Sequence, residues 1–119
     1  MYLKFEKSNN TLIANLIGEL DHHSAEEVRA KIDDRIEREN AQRLILNFGG
    51  VTFMDSSGIG VVVGRFKKMT SRGGALCVVD VSRGVNRVFE LSGLFKIINH
   101  YRDVDEALKC IWWRGFHVW

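Results

Sequence analysis

The run Asp55-Ser56-Ser57 is the group of side chains best suited to chemistry in this sequence, and it lies within the segment FMDSSGIG, residues 53–60. This segment follows a predicted buried strand and opens a predicted helix, and free backbone N–H groups at a helix start favour an anion. We expect Ser57 to cap the helix and Ser56 to stand just outside it with a freer hydroxyl. A purely structural role stays open at this point, because Asp-Ser-Ser is also a good capping string.

A serine hydrolase is the sharpest enzymatic alternative, with Ser56 or Ser57 as the nucleophile and His22 or His23 as the base. The sequence has no G-x-S-x-G elbow, the strained turn that exposes the nucleophile of an α/β-hydrolase. Two consecutive serines beside an aspartate fit a phosphorylation site better than an activated nucleophile. The residues therefore disfavour a serine hydrolase.

The spacing of the glycines and cysteines does not match a known cofactor-binding motif. Gly58, Gly60 and Gly64 lack the spacing of a G-x-G-x-x-G dinucleotide fingerprint. Cys77 and Cys110 have no C-x-x-C spacing and sit in apolar runs, so both are expected to be small buried hydrophobic residues. The sequence thus predicts no bound cofactor.

Metals, nucleic acids and membranes are also disfavoured as partners. The adjacent His22 and His23 would point in different directions from a helix, and His100 and His117 are far away in sequence. Seventeen basic and fifteen acidic residues are mixed along the chain without a block of five like charges. No uncharged apolar run reaches the roughly 18 residues of a membrane span, and MYLKFEK does not resemble a signal peptide. We therefore expect a cytoplasmic protein that neither binds nucleic acid nor inserts into membranes.

The order of the predicted elements indicates an α/β fold around a mostly parallel sheet. A length of 119 residues, 45% of them hydrophobic, suits one domain with a real core. An N-terminal hairpin is followed by the alternation α-β-α-β-α-β-α, which is typical of parallel sheets covered by helices. The predicted strands are 2–7, 11–17, 44–48, 75–79 and 96–98, and the predicted helices are 21–39, 57–69, 82–91 and 103–112.

Helical spacing also predicts which side chains face the core. A capping box of Ser24 and Glu27 is expected to open the first helix, and Asp103 to cap the last one. The side chains predicted to face inward from the second helix are Ile59, Val62, Val63, Phe66 and Met69.

The C-terminal segment IWWRGFHVW contains all three tryptophans of the chain. Two interpretations stay open: a tail folded back on the domain, or an exposed aromatic patch used for self-association. We predict a domain over residues 1–111 and an aromatic tail of unknown role over residues 112–119.

Three segments, GELDHH (residues 18–23), FMDSSGIGVVVGR (53–65) and ELSGLFKII (90–98), carry a family resemblance. Together with their spacing they resemble the STAS-domain anti-sigma factor antagonists, most closely the sporulation branch. The resemblance covers about residues 1–111. It implies a single STAS domain with four to five strands, an N-terminal hairpin and about four helices.

The same resemblance implies a function without catalysis. Such an antagonist binds an anti-sigma factor that is also a serine kinase, which releases a sporulation sigma factor. The kinase inactivates it by phosphorylating the serine after the motif's aspartate, here Ser56, and a serine phosphatase reverses the modification. The implied partner-binding residues are Glu19, Asp21, His22, Asp55, Ser56, Ser57, Gly58 and Ile59. An antagonist from a general stress-response pathway is the alternative within the family.

Overall fold

The structure, a computed structural model, describes the backbone of residues 1–117 and the side chains of residues 1–111. The strands are β1 (Tyr2–Ser8), β2 (Thr11–Leu20), β3 (Arg43–Met54), β4 (Ala75–Val79) and β5 (Asn99–Tyr101). The helices are α1 (Ala25–Glu39), α2 (Ser56–Ser71), α3 (Arg83–Ser92) and α4 (Val104–His117), with a 3-10 turn at Leu94–Lys96. The predicted fold class and element order are confirmed.

The five strands form one sheet in sequential order, with β1 antiparallel to β2 and the other neighbours parallel. Right-handed crossovers between strands that advance in one direction place their helices on one face of the sheet. Accordingly, α1, α2 and α3 share one large core with the sheet, in which Ile32, Val62 and Phe89 have no exposed surface. Helix α4 covers the other face with a smaller cluster that includes Cys77, Ala107 and Ile111.

Two strands are longer than predicted, and one was placed wrongly. β2 continues through Gly18 to Leu20, and β3 continues past Phe48 to Met54, because their parallel pairing persists through two register shifts. Gly18, with φ +119°, lies at one of these register shifts, and β2 continues beyond it. Residues 96–98 are not a strand: the chain turns at Leu94–Lys96 and the edge strand begins at Asn99.

The helix starts also differ from expectation. Helix α1 begins at Ala25, and Ser24 forms no capping box, because its hydroxyl bonds to the preceding turn. Helix α2 begins at Ser56 and is capped by Asp55, not by Ser57. The predicted cap of α4 is confirmed, since Glu106 N–H donates to Asp103 Oδ1 at 2.8 Å.

The buried face of α2 is rotated slightly from the predicted one. Val62 and Met69 are fully buried as expected, whereas Ile59, Val63 and Phe66 are only partly buried. Arg65 instead lies on the buried face.

An ion pair accounts for the buried arginine of α2. Arg65 Nε lies 2.8 Å from Asp33 Oδ1, so the pair joins α2 to α1. Burial lowers the pKa of Arg65, and the carboxylate of Asp33 opposes that shift. A buried cation of this kind needs its partner, because an unpaired charge is costly to desolvate.

Gly58 allows α2 to start in close contact with the end of β2. A Cβ atom on Gly58 would overlap Met54 Cγ and lie 2.9 Å from the carbonyl oxygen of Leu20. Gly60, on the next part of the helix, has nothing within 4 Å of its Cβ position. Because Gly58 has no side chain, the start of α2, with Ser56 and Ser57, can lie close to the end of β2.

The C-terminal segment continues α4 through His117, so the predicted domain boundary at residue 111 falls within a helix. The predicted tail reaches to Trp119, and residues 118–119 lie outside the described residues. No helix in the described part of the chain has the length and apolarity needed to cross a membrane.

Replacement of Phe48 by Ala should destabilise the protein by about 3–5 kcal/mol, because it leaves a large cavity in the core. Phe48 has no exposed surface and its ring meets Phe89 edge-on at 5.3 Å. Phe66→Ala, at a partly buried position, should lower the free energy of unfolding clearly less than Phe48→Ala does. Urea unfolding followed by circular dichroism measures both, and equal losses would contradict this description of the core.

Gly58→Ala should destabilise the protein by about 1–3 kcal/mol through overpacking against Met54 and Leu20. Gly60→Ala is the matched control in the same helix and should be neutral or stabilising by up to about 1 kcal/mol. Thermal unfolding of the two variants gives the comparison. A Gly58→Ala variant as stable as Gly60→Ala would mean that the close contact does not exist.

Cys77 should be unreactive in the native protein. Burial, with a smaller effect of the nearby Cys110, raises the pKa of Cys77 to about 12, so roughly one molecule in ten thousand carries the thiolate at pH 8. Titration with Ellman's reagent should detect no native thiol in a Cys110→Ser variant and one thiol after unfolding. Rapid labelling of that native variant would contradict the burial of Cys77.

Candidate functional site

The three residues of the Asp-Ser-Ser run have different roles at the start of α2. Asp55 Oδ1 accepts a hydrogen bond from Ser57 N–H at 2.8 Å, and the carbonyl oxygen of Asp55 accepts from Gly58 and Ile59 N–H. Ser56 is therefore the first residue inside the helix, not a residue outside it. Its side chain is exposed, and neither serine hydroxyl makes a hydrogen bond within the described residues.

A second turn, at the end of β2, stands beside this helix start. Asp21 Oδ1 accepts from the N–H groups of His23 at 2.9 Å and Ser24 at 3.1 Å, and Ser24 Oγ donates to the carbonyl oxygen of Glu19 at 2.8 Å. Asp21 thus fixes the turn, while Glu19 and His22 keep exposed side chains. The sequence did not predict this hydrogen bond of Ser24, because Ser24 was expected to form a capping box.

Backbone pairing brings the two turns together. Glu19 and Leu20 of β2 lie opposite Phe53 and Met54 of β3, and Asp55 N–H donates to the carbonyl oxygen of Leu20 at 3.3 Å. All eight residues implied by the resemblance therefore lie at the carboxyl end of β2 and β3, which we call the docking end. Its members are Glu19, Asp21, His22, Asp55, Ser56, Ser57, Gly58 and Ile59. Ligand sites of open α/β sheets occur at this end of the strands.

The docking end carries more acid than base. Partial desolvation acts to raise the pKa of Asp21, but hydrogen bonds from the backbone N–H groups of Ser24 and His23 outweigh it, so this pKa lies below its ordinary value. Asp21 is therefore ionised at neutral pH. Glu19 and Asp55 are the other two acidic residues of the docking end. The nearest basic residue along α2 is Arg65, which is buried against Asp33.

The structure also places the residues that were considered from the sequence for alternative chemistries. Within the described residues, no hydrogen bond joins Ser56 or Ser57 to an imidazole, and the rings of His22 and His23 lie 4.0 Å apart, centroid to centroid, with their planes tilted by 39°. No group of three or more His, Cys, Asp or Glu side chains in the same part of the chain is placed to hold a metal ion. Gly58, Gly60 and Gly64, which lack the dinucleotide-binding spacing, lie inside α2.

A surface groove of about 530 Å³ lies at the other end of the sheet. Gln42, Thr70, Gly74 and Asn99 contribute to its wall, next to the first residues of β3, β4 and β5. A small molecule in this groove would not contact Ser56. The docking end, away from this groove, carries the exposed Ser56.

Comparisons with known proteins identify the family of this chain. The model of the STAS domain family matches residues 2–107. The chain is 40% identical over 108 residues to an anti-sigma F factor antagonist of Paenibacillus polymyxa, a match covering 91% of this chain and 92% of the relative. It is 35% identical over 94 residues to an anti-sigma-B factor antagonist of Bacillus subtilis, covering 79% and 84% of the two chains.

The fold is similar to that of the anti-sigma factor antagonist SpoIIAA. Its unphosphorylated form has a TM-score of 0.80 at 34% identity, over 92% of this chain and 96% of that one. The phosphorylated form of SpoIIAA, a Bacillus cell fate determinant, has a TM-score of 0.72 at 33% identity, over 92% and 99% of the two chains. Since the family model matches most of the chain and relatives above 30% identity span it, this protein belongs to the STAS-domain family, among the anti-sigma factor antagonists.

Proposed function

We propose that this protein binds an anti-sigma factor through the docking end and is switched off by phosphorylation of Ser56. The observation that carries the proposal is the position of Ser56: its exposed hydroxyl makes no hydrogen bond within the described residues, at an end rich in carboxylates. A kinase reaches such a hydroxyl without breaking the fold. The names of the relatives and the existence of a phosphorylated SpoIIAA support this function.

Phosphorylation is expected to act on binding and not on folding. A phosphate adds about −1.5 to −2 charge at pH 7. The amide of Ser57 is already bonded to Asp55, and those of Gly58 and Ile59 to the backbone, so the helix start offers little to neutralise the new charge. A partner that covers Ser56 would have to desolvate this charge beside Asp55, which costs several kcal/mol when it is unpaired.

The anti-sigma factor in this proposal is itself the serine kinase, so that one partner both docks on the protein and modifies it. The same exposure that admits the kinase leaves a phosphate on Ser56 accessible to a serine phosphatase, which would restore binding. The protein itself needs no catalytic residue for this cycle, because both covalent steps are performed by its partners.

Sporulation is the process we assign to the switch. The identity to an anti-sigma F factor antagonist is 40%, over more of the chain than the 35% identity to the anti-sigma-B factor antagonist. The motifs GELDHH and SGLFKI favour the same branch. A stress-response antagonist remains the second candidate, and binding tests with the two kinds of anti-sigma factor discriminate between them.

Ser56→Ala should bind the anti-sigma factor but accept no phosphate, because the target hydroxyl is absent. Ser57→Ala, the matched control one residue away, should still be phosphorylated, since its hydroxyl neither caps the helix nor bonds to another group. Incubation of each variant with the anti-sigma kinase and ATP, followed by intact-mass spectrometry, gives the stoichiometry. Phosphorylation of Ser56→Ala at the wild-type level would refute the assignment of the switch residue.

A further inference from the structure

Three exposed apolar side chains line one face of the sheet beside the docking end. Tyr2, Ile17 and Phe53 are 62%, 44% and 49% exposed, respectively. Tyr2 lies directly opposite Ile17 in the antiparallel pair, so their side chains share a face. Phe53 lies on the neighbouring strand β3, three residues beyond Gly50, which is the partner of Ile17. We call these three residues the apolar strip.

The apolar strip is continuous with the docking end. Phe53 is paired in register with Glu19, and the following residue, Met54, is paired with Leu20 in the core. Glu19 and Phe53 are both exposed, while Leu20 and Met54 are buried, so the exposed pair lies on the sheet face opposite the main core. One partner surface lying across this edge would contact both Ser56 and Phe53, which are three residues apart.

The docking end lacks an apolar anchor of its own. Glu19, His22 and Ser56 are exposed and polar, whereas Gly58 is buried and Ile59 is partly buried. A specific protein interface usually covers about 800 Å² on each partner and concentrates its binding energy in a few apolar or aromatic residues near its centre. The carboxylates and Ser56 have the character of the polar rim of such an interface.

We propose that the apolar strip is the apolar centre of the surface that binds the anti-sigma factor, with the docking end as its phosphate-sensitive rim. This inference rests on the proposed function and adds the residues that supply affinity. The matching partner surface carries exposed apolar side chains bordered by basic groups, because Glu19, Asp21 and Asp55 border the strip with acid. Affinity and regulation are thus assigned to different residues. The apolar strip supplies the affinity for the anti-sigma factor, and phosphorylation of Ser56 controls whether the anti-sigma factor binds.

The test compares Ile17→Thr and Phe53→Thr with the wild-type protein, since threonine keeps the β-propensity of both strand positions. Leu91→Ala in α3 is the matched control, because Leu91 is 79% exposed and lies away from the docking end. Isothermal titration with the unphosphorylated proteins measures the affinity for the anti-sigma factor. Circular dichroism and sedimentation report the fold and the oligomeric state.

Each strip variant should bind at least about tenfold more weakly than the wild-type protein, with an unchanged fold, while Leu91→Ala binds normally. Wild-type affinity in both strip variants would overturn the inference while leaving the proposed function intact. A wild-type dimer that the strip substitutions convert to a monomer, without loss of affinity for the partner, would also overturn it and assign the strip to a second copy of this chain. A wild-type protein that binds no anti-sigma factor would refute the proposed function itself.

Discussion

The parallel pairing of β2 with β3 is the interaction on which the rest of the site depends. It runs from Thr11 opposite Arg43 to Leu20 opposite Met54, well past the last pairs of β3 with β4 at Asn47 and Val79. These two strands therefore project beyond the sheet and carry both turns of the docking end. The hydrogen bond from Asp55 N–H to the Leu20 carbonyl oxygen continues this pairing into the first turn of α2.

Packing at this junction brings the start of α2 against the end of β2. Gly58 lets α2 approach β2 so closely that little space remains between the helix and the strand. The polar groups that might otherwise receive a ligand are used internally, since Asp55 holds the Ser57 amide and Asp21 holds the amides of His23 and Ser24. What remains exposed is the Ser56 hydroxyl, a set of carboxylates and the neighbouring apolar strip, which together suit a protein partner.

Much of this arrangement could be predicted from local sequence patterns. The alternation of apolar strands and amphipathic helices gave the element order, and β4 has the bounds that were predicted. The motif residues placed Ser56 at a helix start, and the structure agrees to within one residue.

The sequence-based predictions were wrong where contacts between elements distant in sequence override local sequence patterns. Gly18 suggested the end of a strand, yet pairing with β3 carries β2 to Leu20. Ser57 is a good capping residue, but Asp55 is two residues closer to the strand and its carboxylate reaches the Ser57 amide. The burial of Arg65 depends on Asp33 in another helix, which no local periodicity reveals. The exposure of Phe53 likewise depends on the register of β3 against β2, which places Phe53 opposite Glu19.

We propose that a single phosphate on Ser56 separates this protein from its anti-sigma factor without disturbing the fold. The most direct measurement compares the affinity of the anti-sigma factor for the unmodified protein and for protein phosphorylated stoichiometrically at Ser56, with amide NMR spectra of both forms. We expect the phosphorylated protein to bind at least about tenfold more weakly than the unmodified protein, with chemical-shift changes confined to the docking end. Equal affinities, or lost affinity accompanied by changes throughout the spectrum, would contradict it.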